Sequence, residues 1–363
     1  MRTATAPPDD RLERALLLAR GGRAAELRRD LSGALARYEE ARTLLADSAP
    51  TPLYANVLRW SGSVLRDLGE IEGADRLYSD SFAVADRTGA KAAMASALNC
   101  RAVIAQRRGD VDEATSLYES AAALAVEAGD IRLAGMIEQN LGVLANIRGE
   151  LAAALHRYRA ALAAFEEASD DEAASWVLNN IGMLLTDIGL HGRAEATLHR
   201  GLEIAKARRD RPLEGVLRAN YGECLIAMER WEDAAYQLEF AADVAREGED
   251  RARQGEAFKL MGLLEMAQGR LETAEHHLGE ALRIARAVDA PLLRAEALRE
   301  RGELRRRQGR PGDALADWDA AKAEFTALGA ALDADQIVAR AALLHEQIRN
   351  DEAQARTDEE SDT

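Results

Sequence analysis

Cysteine is nearly absent: the 363 residues include two, Cys100 and Cys224, far apart in the chain. Two such thiols make neither a disulfide framework nor a CxxC site. They read as small helix-packing residues in a reducing compartment. Aromatic residues are also scarce, at 4%, while alanine is abundant, which favours closely packed helices over a sheet core. No Pro-, Ser- or Gly-rich stretch interrupts the interior as a linker. Basic residues are outnumbered, 47 against 63 acidic, for a net charge of −16. That balance argues against general nucleic-acid binding, where phosphate contacts need a basic surface, and suits a soluble chain that does not adhere to membranes. Near the N-terminus no apolar run precedes Asp9, Asp10 and Glu13, and "ALLL" is too short for a signal peptide or a bilayer span. The expected location is the cytoplasm.

Signatures of chemistry are missing as well. No GxxxxGK[ST], GxGxxG or HExxH occurs. His276 and His277 are the only histidine pair, and adjacent helical residues point about 100° apart, so joint metal ligation is not expected. The carboxylate pairs Glu166–Glu167 and Asp170–Asp171 fall at helix ends, where they read as caps and solvated charge. Neither cysteine has a histidine nearby in sequence. The expectation is a non-enzymatic chain with no cofactor and no metal.

What the chain does have is a period of forty residues. Gly22, Gly62, Gly142, Gly182, Gly222, Gly262 and Gly302 share one grid, with Ala102 in the remaining place. Twelve positions on stand Ala34, Ala74, Ala114, Ala154, Ala194, Ala234, Ala274 and Ala314, without exception. Four further come Tyr38, Tyr78, Tyr118, Tyr158, Leu198, Leu238, Leu278 and Trp318. A second glycine column runs through Gly69, Gly109, Gly149, Gly189, Gly269 and Gly309. Each unit reads as two helices. In 171–210, Val177, Leu178, Ile181, Leu185 and Ile188 recur at helical spacing; Gly189 ends that helix, and a second runs from about Gly192 to Ala207.

A small residue, Ala twelve on, an aromatic or Leu four on, and a small residue three on: this spacing resembles the tetratricopeptide repeat. The longer period is similar to the variety found in LGN/Pins, kinesin light chain and MalT-type bacterial regulators. "NLGVLANIRGELAAALHRYRAAL" and "LMGLLEMAQGRLETAEHHLGEAL" carry the likeness, which covers roughly residues 11–350. The expected fold is all-α: a right-handed α-solenoid of eight helix-turn-helix repeats starting near 11, 51, 91, 131, 171, 211, 251 and 291. A capping helix at about 332–350 is expected to cover the exposed apolar end. Residues 1–10 and 351–363 are polar and expected to be disordered. In the last unit Arg301 and Arg305 stand where buried apolar residues are usual, a departure from the pattern.

On each first helix, the face opposite its core forms a stripe at i, i+4, i+7, i+11. In the fifth repeat the stripe is Trp176, Asn180, Met183 and Asp187; in the fourth, Met136, Asn140, Val143 and Ile147; in the sixth, Val216, Asn220, Glu223 and Ala227. A face turned to open water would be mostly charged, whereas these mix amides with large apolar residues. Asn140, Asn180 and Asn220 occupy one register position, with Asn99, Gln139 and Asn179 beside them. The family resemblance implies that first helices line a concave groove where such an Asn touches a bound peptide. An amide offers both donor and acceptor to an extended backbone, and Met136, Val143, Trp176, Met183 and Val216 would take apolar side chains between the amides. The same amides could instead tie repeats together. Toward the ends, Arg20, Arg23, Arg59 and Arg66, then Arg299, Arg306 and Arg307, cluster on or beside the stripe, reading either as solvated caps or as contacts to an acidic partner.

The primary expectation is a protein–protein interaction scaffold that captures an extended peptide segment of a partner in its groove. The alternative is a peptide- or ligand-sensing regulator that changes superhelical shape and controls a separate effector.

Overall fold

The computed structural model describes residues 8–361, with side chains from Asp10 to Asp351. Among the described residues there are seventeen α-helices and no strand. Eight hairpins follow one another: α1 (Pro8–Leu27) with α2 (Leu31–Ala46), α3 (Pro52–Asp67) with α4 (Ile71–Arg87), α5 (Lys91–Arg107) with α6 (Val111–Glu127), and α7 (Ile131–Ile147) with α8 (Leu151–Glu167). Then come α9 (Asp171–Asp187) with α10 (His191–Arg208), α11 (Arg211–Ala227) with α12 (Trp231–Glu247), α13 (Arg251–Ala267) with α14 (Leu271–Ala287), and α15 (Pro291–Arg307) with α16 (Pro311–Ala327). A final helix, α17 (Ala331–Ser361), packs on α16.

The local signals act as their chemistry requires. Gly189 adopts φ +76, and the N–H groups of Leu190 and Gly189 close onto Leu185 O and Thr186 O at 2.9 and 3.0 Å. This is the glycine-dependent helix stop that satisfies two orphan carbonyls. At the start of α11 the Asp210 carboxylate accepts from Leu213 N at 3.1 Å, and Pro212 occupies the first turn, where no N–H is needed.

The forty-residue grid sets the hairpin packing. All eight alanines of the Ala34–Ala314 column are fully buried. A Cβ added at Gly142 would lie 2.6 Å from the Tyr158 ring, and one at Gly222 would lie 2.7 Å from Leu238 Cδ2. In seven of the eight pairs the first helix thus needs hydrogen, not methyl, where the large residue sixteen positions on crosses it; the third pair accommodates Ala102. Within hairpins, serine hydroxyls bond the backbone of the partner helix: Ser81 Oγ in α4 donates to Ala55 O in α3 at 2.7 Å, and Ser175 Oγ in α9 to Gly201 O in α10 at 2.9 Å.

The chain falls into two compact units, Met1–Ala145 with His156–Asp170, and Asn146–Leu155 with Asp171–Thr363. In the first, Tyr38 and Tyr118 anchor successive core clusters. In the second, Trp318 and Phe325 hold α15, α16 and α17 together with Ile337 and Leu344. The Leu332 side chain at the start of α17 also reaches the turn at Gly149, where an added Cβ would lie 3.0 Å from Leu332 Cδ1.

Two departures concern the C-terminal part. Arg301 and Arg305, unexpected at core positions, both pair with Asp317, at 2.6 and 2.8 Å. Asp317 is 4% exposed, so a largely covered ionic triad occupies this place in the last repeat; the third repeat also carries an arginine on the Arg301 column, Arg101, paired with Asp75 at 3.3 Å. Helix α17 continues to Ser361, past residue 350 where the apolar pattern fades. Of the termini expected to be disordered, residues 1–7 and 362–363 lie outside the described residues.

Candidate functional site: paired amides on the first helices

In the first unit, Asn140 Nδ2 donates to Asn99 Oδ1 at 3.0 Å. In the second, Asn220 Nδ2 donates to Asn179 Oδ1 at 2.7 Å. Each bond joins the first helices of neighbouring repeats, α5 to α7 and α9 to α11. The inner member is covered, Asn99 being 7% and Asn179 4% exposed, while Asn140 and Asn220 are half-buried. The two amide rows are therefore not parallel duplicates. The row of Asn99 and Asn179 anchors; the row of Asn140 and Asn220 is held out with an oxygen and a second N–H still uncommitted. Asn179 Nδ2 also lies 3.5 Å from Met183 Sδ, fixing the thioether beside the amide.

Around these amides the stripe is accessible and apolar. Met136 is 37% and Met183 41% exposed; Val143 in the first unit, and Trp176 and Val216 in the second, are half-buried. Gln139 and Asn180 are half-buried as well. The surface offers donors, acceptors and deformable apolar contacts at register intervals, the requirements for holding an extended chain.

The arginines divide. Arg23 pairs with Glu26 at 2.5 Å and Arg66 with Asp67 at 2.8 Å. Arg299 pairs with Glu300 at 2.7 Å and Asp333 at 3.0 Å; Arg306 and Arg307 share Glu303 at 2.8 and 3.0 Å. These guanidiniums already hold carboxylates. Arg20 and Arg59 have no carboxylate partner among the described residues.

Sequence reasoning passed over one part of the second unit's stripe. Lys259, eighty residues beyond Asn179 on the same column, pairs with Glu296 at 2.5 Å. Burial opposes its charge, yet Glu296 and Glu223 hold the ammonium above its ordinary range. Burial likewise pushes the Glu223 carboxyl up, with Lys259 pulling against it. The Asn179 column extended two repeats reaches Lys259, and the Trp176 column extended three repeats reaches Glu296.

Among the described residues no cluster of His, Cys, Asp and Glu could hold a metal ion, and no helix is long and apolar enough to cross a membrane. No protein-family model and no curated protein matches the chain. Solved structures do. A Rap protein complexed with Competence and Sporulation Factor is 13% identical, with TM-score 0.61, over 95% of this chain and 99% of that one. The apo form of the quorum sensor NprR from B. thuringiensis is 12% identical, with TM-score 0.67, over 86% and 87%. Aspartyl phosphate phosphatase F from Bacillus subtilis is 12% identical, with TM-score 0.55, over 95% of each chain. At these identities the likeness establishes the fold: a tetratricopeptide-like α-solenoid.

Proposed function

We propose that this chain is a peptide-sensing regulator: an extended peptide binds the amide stripe, and the resulting change in repeat packing controls a separate effector protein. The observation that carries the reading is the pairing of amides between neighbouring repeats, Asn140 to Asn99 and Asn220 to Asn179. A peptide backbone that bonds the outer amides engages, through them, the joints between repeats. Binding energy is then coupled to the relative placement of α5 and α7, or of α9 and α11, which a purely passive scaffold does not require. Among proteins of the same fold, one is a complex with Competence and Sporulation Factor and another is a quorum sensor, which supports sensing over simple scaffolding. This reading assigns the chain no enzymatic step.

The test uses the full chain and a random octapeptide pool. Wild type is expected to enrich a set of peptides, and an Asn140/Asn180/Asn220→Ala variant to lose them while keeping its helical content. Small-angle scattering with an enriched peptide should show a changed radius of gyration. Enrichment without any change in scattering would return the chain to the scaffold reading; equal enrichment by both proteins would remove the stripe from the function altogether.

A further inference from the structure

A solenoid repeat touches only its neighbours. The second unit breaks that rule. Leu332, in the first turn of α17, packs on the turn at Gly149 between α7 and α8, where an added Cβ would lie 3.0 Å from Leu332 Cδ1. Both residues belong to this unit, yet more than four forty-residue periods separate them in sequence. The next residue, Asp333, accepts from Arg299 Nη1 of α15 at 3.0 Å. Asp187, at the end of α9, lies close enough to feel the charges of both Arg299 and Asp333. The start of α17 therefore meets α9 and the α7–α8 turn, which neighbour stacking alone does not bring to it.

Such a contact is separable from the fold. Each hairpin keeps its own packing of alanine, glycine and a large residue whether or not Leu332 and the Gly149 turn touch. The contact is also small, one leucine still 43% exposed and one shared guanidinium.

The charges beneath it oppose closure. Across the first helices of the unit, the carboxylates Asp187, Glu223, Glu296, Glu300 and Asp333 meet two cations, Lys259 and Arg299. Lys259 pairs with Glu296 at 2.5 Å, and Arg299 with Glu300 and Asp333. Glu256, which also acts on Lys259, is balanced by Arg253 at 2.8 Å. Asp187 and Glu223 are left in surplus. Burial pushes the Glu223 carboxyl up; Lys259 pulls against it, while Asp187, Glu296 and Glu300 add to it. The Cys224 thiol beside it is itself pushed up by burial and stays neutral. Asp187 is exposed on its outer side, yet enclosure by the surrounding helices raises its carboxyl, with Arg299 opposing and Asp333 adding. A carboxyl raised in the closed form takes up a proton on closing. Closure is thus most favoured near the ordinary carboxylate value of about 4 and weakens as pH rises above it.

We propose that the first turn of α17 is a clasp: Leu332 on the Gly149 turn and Asp333 on Arg299 hold the second unit closed, and protonation of the surplus carboxylates Glu223 and Asp187 tightens it. The clasp sets how far apart the first helices of this unit stand before any ligand arrives, so it goes beyond the peptide-sensor reading and does not rest on it.

The test places spin labels at Ala152→Cys and Gln336→Cys in the full chain, both exposed positions flanking the contact. Cys100 and Cys224 are buried, and the chain without the added cysteines controls for their labelling. Pulsed dipolar spectroscopy is expected to show a dominant short separation in the labelled parent and in Leu332→Met, and a longer one in Leu332→Ser at equal helical content. The same separation in Leu332→Ser as in the parent overturns the clasp. Raising pH from about 5.5 to about 8 should move the parent toward the long separation, by up to about tenfold in the closed-to-open ratio per pH unit for each proton released. Glu223→Gln combined with Asp187→Asn is neutral at both sites at every pH and should keep the short separation throughout. A parent that does not respond to pH overturns the proton linkage, as does a double variant that still responds. No peptide is present in these measurements, so either failure leaves the peptide reading untouched.

Discussion

Asn220 reaches across forty-one positions of sequence to donate its amide to Asn179 at 2.7 Å. The acceptor is buried and the donor half-exposed, so one member supports the joint and the other is presented. Asn140 and Asn99 repeat the arrangement at 3.0 Å in the first unit. The bond should be measurable as a coupling. Asn179→Ala and Asn220→Ala, singly and together, should give a non-additive term of about 0.5–1.5 kcal/mol in chemical denaturation. Additivity within roughly 0.3 kcal/mol would mean that the two amides do not stabilise each other.

The glycine grid makes a contrast within one hairpin. A Cβ at Gly262 in α13 would lie 2.7 Å from Leu278 Cγ, whereas one at Gly279 in α14 meets nothing within 4 Å. Gly262→Ala should therefore destabilise by about 1–3 kcal/mol through overpacking. Gly279→Ala should stabilise by up to about 1 kcal/mol through helix propensity. Thermal melts of the two variants read the signs directly, and equal signs would show that the close approach is not what retains glycine on the grid.

Asp317, itself buried, holds two arginines, Arg301 and Arg305, at 2.6 and 2.8 Å. Asp317→Asn leaves both guanidiniums without a counter-charge and should destabilise by about 3–5 kcal/mol. Replacing Arg301, Arg305 and Asp317 together by leucine should recover most of that loss, as apolar replacement of buried ion networks often does. A triple variant no more stable than Asp317→Asn would show that the triad has a role beyond pairing charge.

Tyr158 is buried, without a hydrogen-bond partner among the described residues, and burial pushes its hydroxyl up to about 12. In the unfolded chain the group ionises near 10. The folded state therefore keeps its proton longer, and the contribution to stability is complete below pH 10 and lost as pH rises toward 12. The Tyr158→Phe variant should match wild type closely at pH 8 and exceed it by about 2–3 kcal/mol near pH 12. Denaturation curves at both pH values would check this; parallel behaviour at the two would rule the mechanism out.

The sequence by itself determined the class of fold, because its requirements are local and recur. Glycine, alanine and a large residue at fixed intervals can be satisfied by one hairpin geometry, and each grid position performs the packing its spacing implies, as at Gly222 against Leu238. The stop at Gly189 was legible for the same reason: one or two backbone groups decide it. The amide stripe was legible as a set of positions, since a helical wheel needs only spacing.

What each stripe residue does was left to tertiary structure. Whether an asparagine faces a ligand or a neighbour depends on the distance between helices forty residues apart, which no local pattern encodes. That distance buries Asn99 and Asn179 and leaves Asn140 and Asn220 half-covered. The same holds for charge: Arg299, Arg306 and Arg307 resemble Arg59 in sequence, but packing supplies them with Glu300, Asp333 and Glu303 and gives Arg59 an indole instead. Side-chain type set what each position could bond, and the stacking of repeats decided which of those bonds are made within the chain.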